Sequence, residues 1–527
     1  MDAHERTLLW HFVEHWAEQK PDAEAMVFED TRMSWKQFRD EVDKAALALL
    51  ALGVRRGDPV AMVSMGRPEF MITFMAASKI GAIWLGLSPK FSVDELRYLI
   101  GDSRPVVLIT LKEYQGVDLV KAGITFLQEF PFIRQVLTIG GAAELGENYH
   151  EFVARPHEDQ RAALAERAAE VRPEDEALLI YTSGSTGKPK GVLQTQQAII
   201  SNIAVETKYF EWDEQTRALL HFPINHVAAD VEIGFGAVYA GATLILMDRF
   251  DPELSLEMVA KEKITALGQV PVMFLLQFQT PKFGSLDWSH VKAFIYGGTT
   301  PPQVMVATLG TLAERIGARL MTGYGSTELC GFVTYSMPGD DIELLTKSAG
   351  KIVPPFEMKV VDEERETLPH GEIGEIAVRG PSVMAGYLHN PAATAAVIDA
   401  EGWYYTSDLG YMNEAGYLFI SGRKSEMYKS GGENIFPREI EEVLEAHPAV
   451  LFAAVIGVPD PTYSEVGHAF IMLKPGKEAA PEALRSHCKQ HLANFKVPKK
   501  FELRPTLPLL PNGKVNKMVL RTQLGLV

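Results

Sequence analysis

Cysteine is nearly absent from this 527-residue chain: there are two, Cys330 and Cys488. Two thiols cannot build a disulfide framework, which fits a reducing, cytoplasmic setting. Cationic side chains are the minority. The chain has 51 Lys and Arg against 68 Asp and Glu, a formal charge of -17, which argues against a nucleic-acid partner. It also means that any phosphate must be drawn in by local cationic groups against the global field. Long apolar runs are missing: the longest, Ala45 to Val54, is too short to span a bilayer, so no transmembrane segment is expected. Met1-Asp2-Ala3-His4-Glu5 lacks the basic and apolar regions of a signal peptide, and Gly525-Leu526-Val527 carries no lipidation or peroxisomal tag. No internal repeat or low-complexity segment is found.

The length exceeds what one hydrophobic core serves, so two or more domains are expected. From residue 1 to about 175, helical patterns alternate with short apolar runs, as in 42–52, 60–63, 70–80 and 106–109. Such alternation gives an α/β fold with a mainly parallel sheet. The charged, alanine-rich stretch 140–172 reads as a surface connection. A second α/β portion runs to about 338. Strand and turn signals over 347–420 predict a small barrel-like subdomain. The expected architecture is an N-terminal domain, 1–424, of mainly parallel βα layers with that subdomain. A small α+β C-terminal domain, 425–527, follows, opening with Pro437 at the first turn of a helix.

The most informative stretch is Tyr181-Thr182-Ser183-Gly184-Ser185-Thr186-Gly187-Lys188-Pro189-Lys190-Gly191. Glycines let backbone amides approach, hydroxyls donate and lysines neutralise charge, which suits a loop folded around a polyphosphate. Leu178-Leu179-Ile180 before it reads as a buried strand, and Thr195 after it as the cap of a helix. A strand, glycine-rich loop and helix are a common housing for phosphate. The spacing is not that of a Walker loop: Thr182 stands where the first glycine belongs and Pro189 where the Mg²⁺-binding hydroxyl belongs.

This loop resembles the signature of the adenylate-forming (ANL) superfamily, which includes AMP-dependent acyl-CoA synthetases, and further segments follow in order. Gly323-Tyr324-Gly325-Ser326-Thr327-Glu328 is similar to the family's Tyr-Gly-x-Thr-Glu element. Trp403 to Gly410 is similar to its ribose-binding segment, Gly422-Arg423-Lys424-Ser425-Glu426 to its hinge and Asn512-Gly513-Lys514 to its C-terminal lysine loop. Gly371 to Glu375, Arg379-Gly380-Pro381 and Gly386-Tyr387 lie between, so the resemblance covers nearly the whole chain.

The resemblance implies an enzyme that activates a carboxylic acid with ATP, releasing pyrophosphate, and then passes the acyl group from AMP to coenzyme A. Thr182, Ser183, Gly184, Ser185, Thr186, Gly187 and Lys188 would bind the phosphates. Lys514 would bridge carboxylate and phosphate during adenylation. Glu328 would ligate Mg²⁺, and Thr327 would bond the α-phosphate. Tyr324, flanked by Gly323 and Gly325 that open room for a flat ligand, would lie against adenine, with Gly298 and Thr299 lining the pocket. Asp408 would accept the ribose hydroxyls, and Arg423 would reach the ribose or phosphates. Lys429, Gly431 and Gly432 would line the pantetheine tunnel. His226 would gate an acyl pocket walled by Ile224, Val227, Val270, Phe274 and Cys330, hence a fatty, alicyclic or aromatic acid.

Three positions depart from the family pattern. Gln196 replaces a histidine, and Ser425 occupies the hinge. Ser407 replaces a glycine, at little cost if its φ is negative. Two other outcomes are kept: an adenylation enzyme with an amino-acid or carrier-protein acceptor, and a non-catalytic binding homologue. The expected partner is a small-molecule carboxylic acid; a homodimer is left open.

Overall fold

The structure, a computed structural model, describes residues 6–140, 146–182, 189–509 and 515–526. Short apolar runs bounded by Gly and Pro form the parallel strands β1 (Pro59–Val63), β2 (Ile83–Leu87), β3 (Val107–Leu111) and β4 (Gln135–Ile139). Helices cover both faces, which is why these strands read as continuous apolar runs without alternation. The crossover helix Pro68–Lys79 starts with proline in its first turn and buries every residue after it.

β5 (Glu176–Thr182) lies parallel to β2, but the chain does not pass from it straight into a helix. It returns first as β6 (Lys190–Thr195), antiparallel to β5, and only then enters α1 (Gln196–Tyr209). The glycine-rich stretch therefore joins two strands of a hairpin, and the expected strand–loop–helix housing is corrected. Val192 and Leu193 are buried in the sheet, and Gly386–Tyr387 pairs outside them to complete an eight-stranded sheet. Thr195 caps α1 as expected, accepting the Ala198 amide. Gln196 uses both ends of its buried amide, accepting from Leu9 N (3.0 Å) and donating to Ser78 O (3.0 Å).

A second, seven-stranded sheet runs in the order Arg319–Thr322, Ala293–Tyr296, Ala266–Gln269, Arg217–Leu220, Thr243–Leu246, Glu24–Phe28, Thr31–Ser34. Only the last strand is antiparallel. Residues of both sheets, including Val60, Trp84, Leu178, Ala218 and Leu244, share one core with Phe70, Phe74 and Phe235. The stretch expected as a plain surface connection also contributes. Tyr149, Phe152 and Val153 sit three and four apart on a short helix and are buried, while helix Arg161–Glu170 buries no residue fully and rests only Leu164 against the core.

The subdomain after residue 350 is a four-stranded antiparallel sheet: Glu357–Val361, Gly374–Arg379, β7 (Tyr404–Met412) and β8 (Leu418–Arg423). A turn at 424–427 leads into a five-stranded sheet drawn only from later residues, beginning with β9 (Tyr428–Ser430) and β10 (Glu433–Ile435). Helix α2 (Pro437–Glu445) packs Ile440 and Leu444 into a core of its own, and α3 (Lys517–Gln523) follows near the end. Among the described residues no helix is long and apolar enough to cross a membrane.

Candidate active site

Four segments that lie far apart in sequence begin where four neighbouring parallel strands end. His221–His226 follows Arg217–Leu220, Val270–Phe274 follows Ala266–Gln269, Gly297–Thr299 follows Ala293–Tyr296 and Gly323–Glu328 follows Arg319–Thr322. Crevices outside the carboxyl ends of parallel strands are where open α/β sheets bind ligands. The glycines of this rim serve the fold first. A Cβ on Gly323 would stand 2.1 Å from Thr334 O, one on Gly325 2.0 Å from Gly331 O, and one on Gly297 2.5 Å from the Phe332 ring. The room expected around Tyr324 for a flat ligand is thus a close backbone approach. Gly298 is exposed with φ 83°, and Thr299 beside it is exposed too.

Tyr324, Asp408 and Arg423 are brought together. Asp408 is 7% exposed. Its Oδ2 accepts the Tyr324 hydroxyl at 2.7 Å and its Oδ1 accepts Arg423 Nε at 2.9 Å. Arg423 is the cross-strand partner of Asp408 between β7 and β8. The neighbouring carboxylate raises the guanidinium pKa, and burial followed by Asp408 raises that of the Tyr324 phenol. Asp408 faces inward because β7 bulges against strand Gly374–Arg379, where the register slips between Glu375 and Ala377. The bulge puts Ser407 at φ 62°, so the condition under which replacing glycine would cost little is not met. The left-handed conformation costs a non-glycine about 1–2 kcal/mol. Glu375 Oε1 accepts the Ser407 amide (3.0 Å) and the Lys424 amide donates to Ser407 O (2.9 Å), fastening the bulge to the turn after β8.

Thr327 and Glu328 occupy a short half-buried turn. Gln194 Nε2 of β6 donates to Thr327 O at 2.8 Å. The Tyr387 hydroxyl donates to Glu328 Oε1 at 3.3 Å, and Lys190 Nζ stands 5.0 Å from the centre of the Tyr387 ring. Burial, then Glu328, pushes the Tyr387 phenol pKa up. Tyr387 thus links the hairpin that carries the glycine-rich loop to the metal-ligand candidate. The sequence offered the Gly386-Tyr387 pair but no role for it. Among the described residues only Glu328 Oε1 is bonded to Tyr387, and a half-buried carboxylate beside hydroxyls suits a hard cation that retains phosphate oxygens and waters.

Thr182, the last residue of β5, pairs with Lys190; Ser183, Gly184, Ser185, Thr186, Gly187 and Lys188 lie outside the described residues. Lys514 does too, but its flanks are tied: Leu509 bridges Val515, and the Asn516 amide donates to Pro508 O at 2.7 Å. Beyond them Lys517 Nζ pairs with Glu426 and with Glu441 Oε1 (2.8 Å), joining α3 to the turn after β8 and to α2. Lys429 is exposed on β9. Gly431 and Gly432, with φ 61° and 93°, form the two-residue turn between β9 and β10. Positive φ at both central positions defines a type I′ hairpin, so these glycines answer a turn requirement before any ligand.

His226 is half-buried; its Nδ1 accepts the Ala228 amide (3.1 Å), and its carbonyl accepts from Ala229 and Asp230 at the start of the π-helix Ala228–Phe235. Ile224, Val227, Val270 and Cys330 share the first core, whereas Phe274 packs in the second against Phe294, with ring centroids 6.4 Å apart. Phe274 is therefore removed from the expected wall. What the apolar reading missed is a carboxyl cluster, Glu206, Asp230 and Glu232, acting on Cys330. After burial itself, these groups push the Cys330 thiol pKa up.

The family model described as AMP-binding enzyme matches residues 13–388, and that for the AMP-binding enzyme C-terminal domain matches 439–514. A Mycobacterium tuberculosis (strain H37Rv) ligase, 3-[(3aS,4S,7aS)-7a-methyl-1,5-dioxo-octahydro-1H-inden-4-yl]propanoyl:CoA ligase, is 33% identical over 95% of this chain and 96% of its own length. The long-chain-fatty-acid–CoA ligase FadD13 of the same organism is 32% identical over 94% of this chain and 93% of its own. The crystal structure of the anthranilate CoA ligase AuaEII with anthranoyl-AMP superposes with a TM-score of 0.89 at 25% identity, covering 98% of this chain and 97% of that one. With family models spanning both halves, and with acyl-CoA ligases as its relatives over nearly its whole length, the chain belongs to the AMP-binding enzyme family of the adenylate-forming superfamily.

Proposed function

We propose that the protein is an AMP-forming acyl-CoA synthetase that activates a largely apolar carboxylic acid with ATP and transfers the acyl group to coenzyme A. The observation that carries this reading is the Tyr324–Asp408–Arg423 network standing beside the Thr327–Glu328 turn. Asp408 has two lone pairs committed and two left for a pair of ribose hydroxyls.

A carboxylic acid with a pKa near ~4–5 is ionised at pH 7, so adenylation needs no general base. It needs two anions aligned and their charge neutralised. In this reading Asp408 and Arg423 fix the nucleoside, Thr327 donates to the α-phosphate and Lys514 bridges the two reacting anions. Glu328 would hold Mg²⁺, which supplies neutralisation of phosphate charge when bound. The acid's oxygen forms a bond to the α-phosphorus and pyrophosphate leaves. The thiol of coenzyme A then bonds the acyl carbon, loses its proton and displaces AMP. Residues 425–527 act as a mobile domain turning about the 424–427 turn, bringing Lys514 for the first step and the Lys429–Gly432 hairpin for the second. The test is acid-dependent pyrophosphate release, followed by CoA-ester formation, across acids from acetate to long fatty acids and benzoates. Absence of both with every acid rejects the proposal in favour of a non-catalytic homologue.

A further inference from the structure

The turn that carries Thr327 and Glu328 is held by its carbonyls. Gln194 Nε2 donates to Thr327 O, the Met384 amide to Glu328 O at 2.8 Å and Ser382 Oγ to Leu329 O at 2.8 Å. The last two donors belong to one segment, 382–388, which is itself tied to β6. The Ala385 amide donates to Leu193 O at 2.9 Å and the Leu388 amide to Gly191 O at 2.7 Å, while Tyr387 is the cross-strand partner of Val192. Thr394, on helix Pro391–Val397, also holds the segment: its Oγ1 accepts the Tyr387 amide at 2.9 Å. This contact is what requires glycine at 386, where φ is 152° and a Cβ would stand 2.9 Å from that same Oγ1. The Tyr387 ring packs against the core that includes Val192, Leu329 and Met384, with Lys190 Nζ 5.0 Å from its centre. Backbone bonds thus place the Cα of Glu328 but leave its side chain to rotate. The Tyr387 hydroxyl, on a ring fixed by its neighbours, reaches Glu328 Oε1 at 3.3 Å.

A carboxylate that ligates a cation must present its lone pairs in one direction, and ligating carboxylates are themselves hydrogen-bonded for that reason. We propose that Tyr387 is the positioning residue for Glu328: its hydroxyl sets the rotation of the carboxylate that would hold Mg²⁺. The proposal deepens the synthetase reading and rests on it for the role of Glu328. Tyr387 acts through Glu328, and its own place is set by β6, the strand that follows the glycine-rich stretch. The metal ligand and the arm of the phosphate-binding hairpin therefore share one support. Packing alone does not account for the residue, because a phenylalanine ring would fill the same place in the core, while the hydroxyl is directed at a carboxylate. At 3.3 Å the contact is longer than the ~2.5–3.0 Å of a full-strength O–H···O bond. Its loss should therefore cost metal affinity at the lower end of the ~10–100-fold range found for such partners.

The experiment reads metal binding and turnover separately. Mn²⁺, followed by electron paramagnetic resonance, is titrated into the protein with a non-cleavable ATP analogue, for the parent, Tyr387→Phe, Glu328→Gln and the double variant. Phenylalanine keeps the ring, its packing and its contact with Lys190, so the fold is preserved. Tyr387→Phe should weaken Mn²⁺ binding by about tenfold. Pyrophosphate release should then need correspondingly more Mg²⁺, with the deficit closing as Mg²⁺ is raised. On a Glu328→Gln background the same change should cost less than about twofold, because the group it orients is gone. Mn²⁺ affinity within about twofold of the parent in Tyr387→Phe, or an equal loss on both backgrounds, would overturn the proposal. Release of pyrophosphate by the parent, with Mn²⁺ affinity unmoved by either single variant, sinks the proposal and leaves the synthetase reading standing. The expected loss of Mn²⁺ affinity, with no pyrophosphate release from any acid, does the reverse. Neither metal binding nor release removes both.

Discussion

Replacing Asp408 by asparagine tests the site at its most connected residue. The carboxylate offers about four lone-pair positions, of which the Tyr324 hydroxyl and Arg423 Nε hold one on each oxygen. The two that remain are those proposed for the ribose. In Asp408→Asn one oxygen becomes an NH₂ group. Turned towards Arg423, it opposes donor to donor; turned towards Tyr324, it ends the phenol's donation. Either way one charge-assisted bond within the network and one to the ribose are lost. Only the ribose bond differs between free and ATP-bound protein, so at about 1.5–3 kcal/mol it is worth about 10–10² in ATP affinity. Calorimetric titration with ATP, 2′-deoxy-ATP and 3′-deoxy-ATP reads this directly. The unsubstituted protein should lose about tenfold or more with each deoxynucleotide, and Asp408→Asn should discriminate much less. Because Asp408 is 7% exposed and half of the Arg423 side chain is in solvent, the guanidinium can re-solvate, so the fold should survive the change. ATP affinity within twofold of the parent, with deoxynucleotide discrimination unchanged, refutes the assignment.

Lys514→Ala should slow adenylation by about 10²–10³-fold while sparing CoA-ester formation from supplied acyl-AMP; equal loss in both half-reactions rejects a role confined to the first. Ser425 is the third residue of a turn in which Arg423 O accepts the Glu426 amide at 3.0 Å, a position where proline forces the residue before it out of the helical region. Ser425→Pro should therefore disfavour this arrangement and change the two half-reactions unequally, as seen in single-turnover rates; parental rates for both would end the alternation model. Glu206 and Asp230 hold protons in the folded protein at pH values where the unfolded chain, titrating near ~4, has released them. The stability they confer is full below the unfolded pKa and is lost as pH rises towards the folded values, by up to about 1.4 kcal/mol per pH unit for each group. Denaturant unfolding between pH 5 and 9 should show a shallower decline in Asp230→Asn; parallel curves reject the raised pKa.

The linear order of residues settled the fold class, the helix cap at Thr195, the proline-led helix Pro437–Glu445 and the family, because each rests on spacing or local chemistry legible within a few residues. Asp408 and Arg423 could be nominated on the same ground, yet their contact with Tyr324 depends on β7 pairing with β8 beside the rim of a different sheet. The glycines at 323 and 325 looked like space for a ligand, since a sequence cannot say whose backbone fills the place of a missing Cβ; here it belongs to Thr334 and Gly331. Ser407 likewise looked harmless, because the bulge that drives its φ positive exists only once Gly374–Arg379 pairs with β7.

The carboxyl cluster marks the boundary most clearly. Glu206 and Asp230 are ordinary acidic residues to any reading of composition or period, and Asn202 is one polar residue on a mixed helix. Asn202 and Glu206 are buried against Gly331, where α1 meets the turn after Glu328, and Asp230 is buried on the π-helix against Trp84. The order of residues sets the chemistry offered at each position and the local elements that carry it. Which of those groups lose their water and face one another follows from packing alone, because desolvation is a property of the packed neighbourhood and not of the residue.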